Sequence, residues 1–477
     1  MLTGIDNLVV LACAVGILLI GKYFSNTSTD MDSFYKANKS LPWSLVVGTL
    51  MATWYGGAGV VGTVGYATTM GFAGFFIWSI GAHAVRFPLA LWVAPRISVK
   101  VNSTMPELLH SAYGRFASIF GAIVIVVSCL SIGEIGATGY VGVAAWGANK
   151  FVVAIVVVII SIFISSLGGL MGVAVTDMIF FFLMVTSVSA VFPKIFYSAG
   201  GLSGIEASLA SVAPEMVTPF GGIPLGRAVT LILLCVNLYK DPAFYQRFAA
   251  ANSPSTGKRA MLTCFSIWLS FDLILVMTGT IVRTLDPNLL VQPEVGYITI
   301  VLENLPVVFR GLFIVGIMGA IISTIDSYFL IGGEIMANDV IAAIRRKPLS
   351  DKSSILITRI SCVVFGVIGI FAAFQFALVY DAFLFVSSLS MCVLFVPVLA
   401  AIMYDGKKTN VAGIASMIVG GAVWAICTYI LPVSIEALGG VLDAVLIGLP
   451  ASFIAFIIGN NFGTDLIAKE NAKMLKY

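Results

Sequence analysis

The sequence is short of charge. Only 10% of its 477 residues are Asp, Glu, Lys or Arg, against roughly 25% in soluble domains. It has two histidines. No nucleophile–base pair, metal motif or phosphate loop accompanies them, so the chain is read as no enzyme. The net charge is +3, which gives no support to nucleic-acid binding. Seven cysteines stand singly in apolar segments. They show neither disulfide nor metal spacing and are expected as small core residues.

What is present is hydrophobicity, at 59% of residues with a mean hydropathy of +1.05. A polytopic all-α membrane protein follows, with the lipid bilayer as its main partner. Apolar runs predict about thirteen spans: 6–24, 43–69, 73–97, 116–146, 151–168, 171–197, 226–250, 258–283, 310–340, 355–376, 380–403, 410–430 and 440–461. The first lacks a basic start and is read as a retained helix. With the N-terminus outside and the C-terminus inside, about 19 Lys and Arg fall in inside segments and about five outside. That agrees with the positive-inside rule for an inner or plasma membrane. Arg247 and the tail residues Lys469, Lys473 and Lys476 are among the inside charges.

Two spans are interrupted. The second reads Ala52-Thr53-Trp54-Tyr55-Gly56-Gly57-Ala58-Gly59, and the seventh reads Asn237-Leu238-Tyr239-Lys240-Asp241-Pro242. Glycine loosens a helix and proline removes one of its hydrogen bonds. Breaks five spans apart point to an inverted-repeat transporter with solute held where helices unwind. The expected division is a first helix and loop at 1–42, repeats at 43–225 and 226–405, and two further helices with a short tail at 406–477. In span nine, Ala320, Ser323, Thr324 and Ser327 share a helix face with Asp326 beside it. Hydroxyls and a carboxylate at bilayer depth face a cavity, a partner or an ion, or bond back to their own helix. Hard cations such as sodium take oxygen ligands.

Six segments carry a resemblance. They are Asp32-Ser33-Phe34-Tyr35 with Leu41-Pro42-Trp43; Ala52-Thr53-Trp54-Tyr55-Gly56; Thr104 to Glu107; Gly168-Gly169 with Thr176-Asp177; Gln246-Arg247 with Ala249-Ala250; and Ser323-Thr324-Ile325-Asp326-Ser327. In this order they resemble the motifs of the solute:sodium symporters. The resemblance implies a LeuT-type fold: a ten-helix inverted-repeat core, one helix before it and two after. It also implies co-transported sodium held by the carbonyls of Ala52, Tyr55 and Ala320 and the hydroxyls of Ser323 and Thr324. A second sodium is implied at Asp177, Asp326 and Ser327, with Phe180 where the family carries glutamine.

Solute contacts are expected from Trp54, Gly56, Glu134, Tyr239, Lys240 and Asp241. Trp54 and the pair Gly133-Glu134 resemble residues of choline-carrying members, whose aromatic cages hold quaternary ammonium. Lys240 and Asp241 pair with each other or answer a zwitterion. Glu134 meets Arg86 or backbone donors. The reading is sodium-coupled symport of a small organic solute by alternating access, an amino acid or amine-bearing solute favoured. Its alternatives are a proton-coupled or sodium-independent carrier and a choline-like quaternary amine transporter.

Overall fold

A computed structural model describes residues 1–25, 30–101, 104–285, 292–435 and 438–465. The tail lysines at 469, 473 and 476 lie outside these. Among the described residues the chain is helical, apart from the two-stranded hairpin Ser434–Ile435 and Gly440–Val441. Eight helices are long and apolar enough to cross a membrane, and the bent pair Trp43–Trp54 and Ala58–Met70 makes a ninth. Three further apolar helices, Gly4–Ile20, Lys150–Ser165 and Val445–Gly459, are shorter. The expected span at 226–250 is divided between Leu225–Leu234 and Pro242–Ala250. Each of the thirteen apolar stretches contains helix, although 440–461 begins in the strand Gly440–Val441, and not all are long enough to count as a span.

The bundle is apolar outside as well as inside. Phe116 is 80% exposed and Phe371 72%; such a surface suits lipid, which cannot serve backbone polar groups and so enforces helices. Polar residues lie within. The helix Phe309–Glu334 is buried over nearly its whole length, including Ser323, Thr324, Asp326 and Ser327. A Cβ on Gly319 would meet the Phe180 ring at 2.0 Å. The absence of a side chain at Gly319 leaves room for that ring. The same contact sets the Phe180 ring against this helix, in place of the amide that the family carries there.

Local breaks follow the sequence. Gly169 adopts φ 54°, ψ −169° within the long helix Lys150–Ser198, a conformation open chiefly to glycine. It separates the stretches expected at 151–168 and 171–197. Thr104 caps the helix Met105–Tyr113 by accepting from Glu107 N at 3.3 Å. Gln246 Nε2 donates to the Tyr35 carbonyl at 3.0 Å. Four of the six motifs thus shape the scaffold.

Candidate functional site

The first break follows Trp54. The chain turns by 59° between Trp43–Trp54 and Ala58–Met70. This leaves Gly57 N–H and Ala58 N–H at the start of the second half-helix. Glu134 meets both, accepting from Gly57 and, at 3.2 Å, from Ala58. It lies in the first turn of Ile132–Trp146, just after Ser131 at φ 51°. A carboxylate at a helix N-terminus answers both the orphan donors and the dipole. Of the two partners expected for Glu134, the structure gives the backbone donors and not Arg86.

Gly56 lies between two polar groups. A Cβ there would meet Glu134 Oε2 at 2.3 Å and Thr324 Oγ1 at 2.4 Å. Only glycine admits both. Thr324 Oγ1 lies 3.2 Å from the Ala52 carbonyl, 3.4 Å from that of Thr53 and 3.0 Å from that of Ala320. The last is a bond back to its own helix, and the other two cross to the break. Ser323 points elsewhere and donates to Asp177 Oδ1 at 2.5 Å. The Tyr55 side chain runs away from the break, donating to Asp272 Oδ1 at 2.6 Å.

Behind Ser323 lies a fully buried polar cluster. Asp177 also accepts from Thr49 and stands 3.7 Å from Arg247 Nη2. Arg247 donates to Thr49 Oγ1 at 3.1 Å and to Ser327. Asp326 Oδ1 accepts from Ser327 at 3.4 Å, while its Oδ2 has no hydrogen-bond partner. Asp177, Asp326 and Ser327 therefore gather as expected. Arg247, counted among the flanking inside charges, is instead fully buried. The Gln-Arg motif was the signal, since arginine inside an apolar run needs a partner.

The second break is a 3₁₀ segment, Cys235–Lys240, followed by Asp241 in extended conformation. Asp241 caps Pro242–Ala250, accepting from Ala243 N at 2.9 Å and Phe244 N at 3.1 Å. Its other oxygen accepts from Tyr328 OH at 2.7 Å. Of the two alternatives for Lys240 and Asp241, the mutual pair is not formed: among the described residues Lys240 forms no ion pair and donates to Asn237 and Ser390. The local reason is that Asp241 turns to its own helix N-terminus.

Between the breaks lies a cavity that is partly open to solvent. Trp54, Glu134, Lys240 and Asp241 line it together with Asn237, Thr324, Tyr328 and Ser390. Gly56 and Tyr239 do not; Tyr239 OH is turned to the Val85 carbonyl at 2.9 Å. The Arg86 guanidinium lies 4.1 Å from the Trp54 ring centre and 5.9 Å from that of Trp78. Sequence reasoning gave Asn237, Ser390 and Arg86 no site role. Their signal was polarity inside apolar spans. Among the described residues no group of three or more His, Cys, Asp or Glu is placed to hold a metal. The oxygens around Thr324 at the first break are the carbonyls of Ala52 and Thr53 and its own hydroxyl, with the Glu134 carboxylate beyond Gly56, and oxygen donors suit a hard cation.

The sodium:solute symporter family model matches residues 34–420. The sodium/pantothenate symporter of Haemophilus influenzae is 22% identical over 95% of this chain and 95% of its own. The high-affinity proline transporter PutP of Bacillus subtilis is 23% identical over 86% of this chain and 90% of its own. Among solved structures, a sodium-coupled sialic acid symporter superposes with a TM-score of 0.78 at 18% identity, covering 97% of this chain and 98% of that one. Mhp1, a nucleobase-cation-symport-1 family transporter, follows with 0.57 at 14% identity, over 91% and 94%. The expected all-α, LeuT-type fold is thereby borne out, while the expected count of about thirteen spans is not confirmed. The chain belongs to the sodium:solute symporter family, a multi-pass membrane carrier of small solutes whose co-transported ion is sodium.

Proposed function

We propose that this carrier binds one sodium at the first break and its solute in the adjoining cavity, and moves both by alternating access. The carbonyls of Ala52, Tyr55 and Ala320 and the hydroxyl of Thr324 form the sodium site, and the Ser323 hydroxyl, which donates to Asp177 in this structure, joins them by turning from that carboxylate. The observation that carries this is Thr324 Oγ1, which bridges the Phe309–Glu334 helix to the Ala52 carbonyl at 3.2 Å. A cation there would tie two elements that part when the site opens to the other side, favouring the solute-binding form. A ~100 mV potential supplies about 2.3 kcal/mol per charge. A tenfold sodium gradient adds about 1.4 kcal/mol. One sodium thus sustains a ratio of several hundred for a neutral solute.

Asp177, Asp326 and Ser327 are the second-cation reading. The unpartnered Asp326 oxygen supports it, and the neighbouring Arg247 charge opposes it. Of the solutes weighed, an amino acid keeps a partner through its carboxylate at Lys240. A quaternary amine loses the Trp54 face expected for it, because Arg86 lies over that ring. The repeats at 43–225 and 226–405 and the outside N-terminus belong to the same proposal; a reporter fused after Tyr477 and found outside would overturn that orientation. Transport itself is tested in proteoliposomes by imposing sodium and proton gradients separately. Accumulation of solute driven by sodium alone is expected; accumulation driven by protons alone would overturn sodium coupling.

A further inference from the structure

We propose that the solute is recognised through a carboxylate and that Lys240 is the cation anchoring it. The inference rests on the cavity between the breaks being the solute site. Four charged groups lie in or beside that cavity, and they are not equivalent. The two carboxylates are answered by the fold itself: Glu134 by Gly57 N–H and Ala58 N–H, Asp241 by Ala243 N–H, Phe244 N–H and Tyr328 OH. The two cations are not. Among the described residues neither Lys240 nor Arg86 forms an ion pair.

Both cations are tied to the second break. Lys240 ends its 3₁₀ segment and is 3% exposed. It donates to Asn237 and Ser390, which also line the cavity. An ammonium has three N–H donors, so one is left over. Arg86 is 1% exposed and donates through Nε to the Cys235 carbonyl at 2.7 Å, while its Nη2 is buried without a partner. An uncompensated cation at this depth is costly and conserves its cost only where an anion arrives. The backbone donors of the first break, which would otherwise suit a solute carboxylate, are taken by Glu134. The second break is therefore where an acid binds, and a solute ammonium is not required. A monocarboxylate carried with one sodium makes the loaded step electroneutral.

The test is thermal stabilisation of the purified full chain with and without sodium. The probes are small monocarboxylates, including lactate and proline; the matched amides lactamide and prolinamide; and choline. Ligands raise apparent stability by mass action. At least one acid is expected to stabilise in sodium while its amide does not. An amine-free acid that binds as well as its amino-acid counterpart assigns recognition to the carboxylate alone. Lys240→Gln should weaken that acid about a hundredfold, with sodium's own stabilisation kept and Lys240→Arg partly restoring the acid. Amides or choline matching the acids, no acid stabilising, or Lys240→Gln leaving the acid's affinity intact would each overturn the proposal. The acid–amide contrast needs no variant, so a misfolded Lys240→Gln does not decide the matter. Sodium-driven uptake of a solute that has no carboxylate would overturn the carboxylate and leave symport standing. Acid binding without sodium dependence would do the reverse.

Discussion

The two broken helices use one device with opposite wiring. At the first break the half-helix N-terminus is capped from another helix, by Glu134, and the freed carbonyls meet a hydroxyl from a third, Thr324. At the second break the cap is the chain's own Asp241, one residue before the helix it caps. The first break is thus held together by three separate elements and is sensitive to how they sit. The second carries its own cap, although Tyr328 of the Phe309–Glu334 helix also reaches it, and it holds a cation in place. A site that must form and dissolve with an ion belongs at the first; a standing charge for the solute belongs at the second. The lesson is that unwinding alone does not define a site. The source of the cap does.

The comparison can be broken at its tightest point first. Gly56→Ala puts a Cβ within 2.4 Å of both Glu134 and Thr324. Overpacking of this kind costs about 1–3 kcal/mol, and here it falls on the ion site and the cap together. Sodium-driven uptake is expected to vanish, read as initial rates in proteoliposomes. Uptake near wild type would mean that the close approach has no role.

The caps come next. Glu134→Ala strands two backbone donors and should cost about 3 kcal/mol. Asp241→Ala should cost about 1.5 kcal/mol, as for an ordinary N-cap. Melting temperatures in detergent give the order, and the reverse order would contradict the difference in wiring. The smallest effect is expected from Asp241→Asn. Asparagine caps as well as aspartate, so the cost should stay below about 0.5 kcal/mol. A large loss of stability would mean that the Asp241 charge, not its capping geometry, holds the second break.

Much of the fold was legible, because lipid forces every apolar run into a helix. Both breaks were visible in Gly56-Gly57 and Asp241-Pro242. So was the meeting of Thr324 with Ala52, through motifs the family shares. What escaped was the choice of partner. Lys240 and Asp241 are neighbours in sequence, yet the aspartate turns to its helix and the lysine to Asn237 and Ser390. Arg247 looked like a flanking charge because it stands near Lys258 and Arg259, and its burial depends on Asp177, 70 residues away. Arg86 has no sequence neighbour that announces Trp54 as its resting face. Such pairings are set by packing between distant helices, which periodicity does not encode.

The central claim is that sodium binds where Thr324 meets the first break. The most direct measurement is the sodium concentration for half-maximal uptake in Thr324→Val, with Ser323→Ala alongside. Valine keeps the shape and removes the oxygen. One lost ligand worth ~1.4 kcal/mol raises that concentration about tenfold. By reciprocity, solute affinity should fall at low sodium and recover at high sodium. An unchanged sodium dependence in both variants at normal expression would contradict the account and leave the Thr324 hydroxyl as a bond back to Ala320, 3.0 Å away.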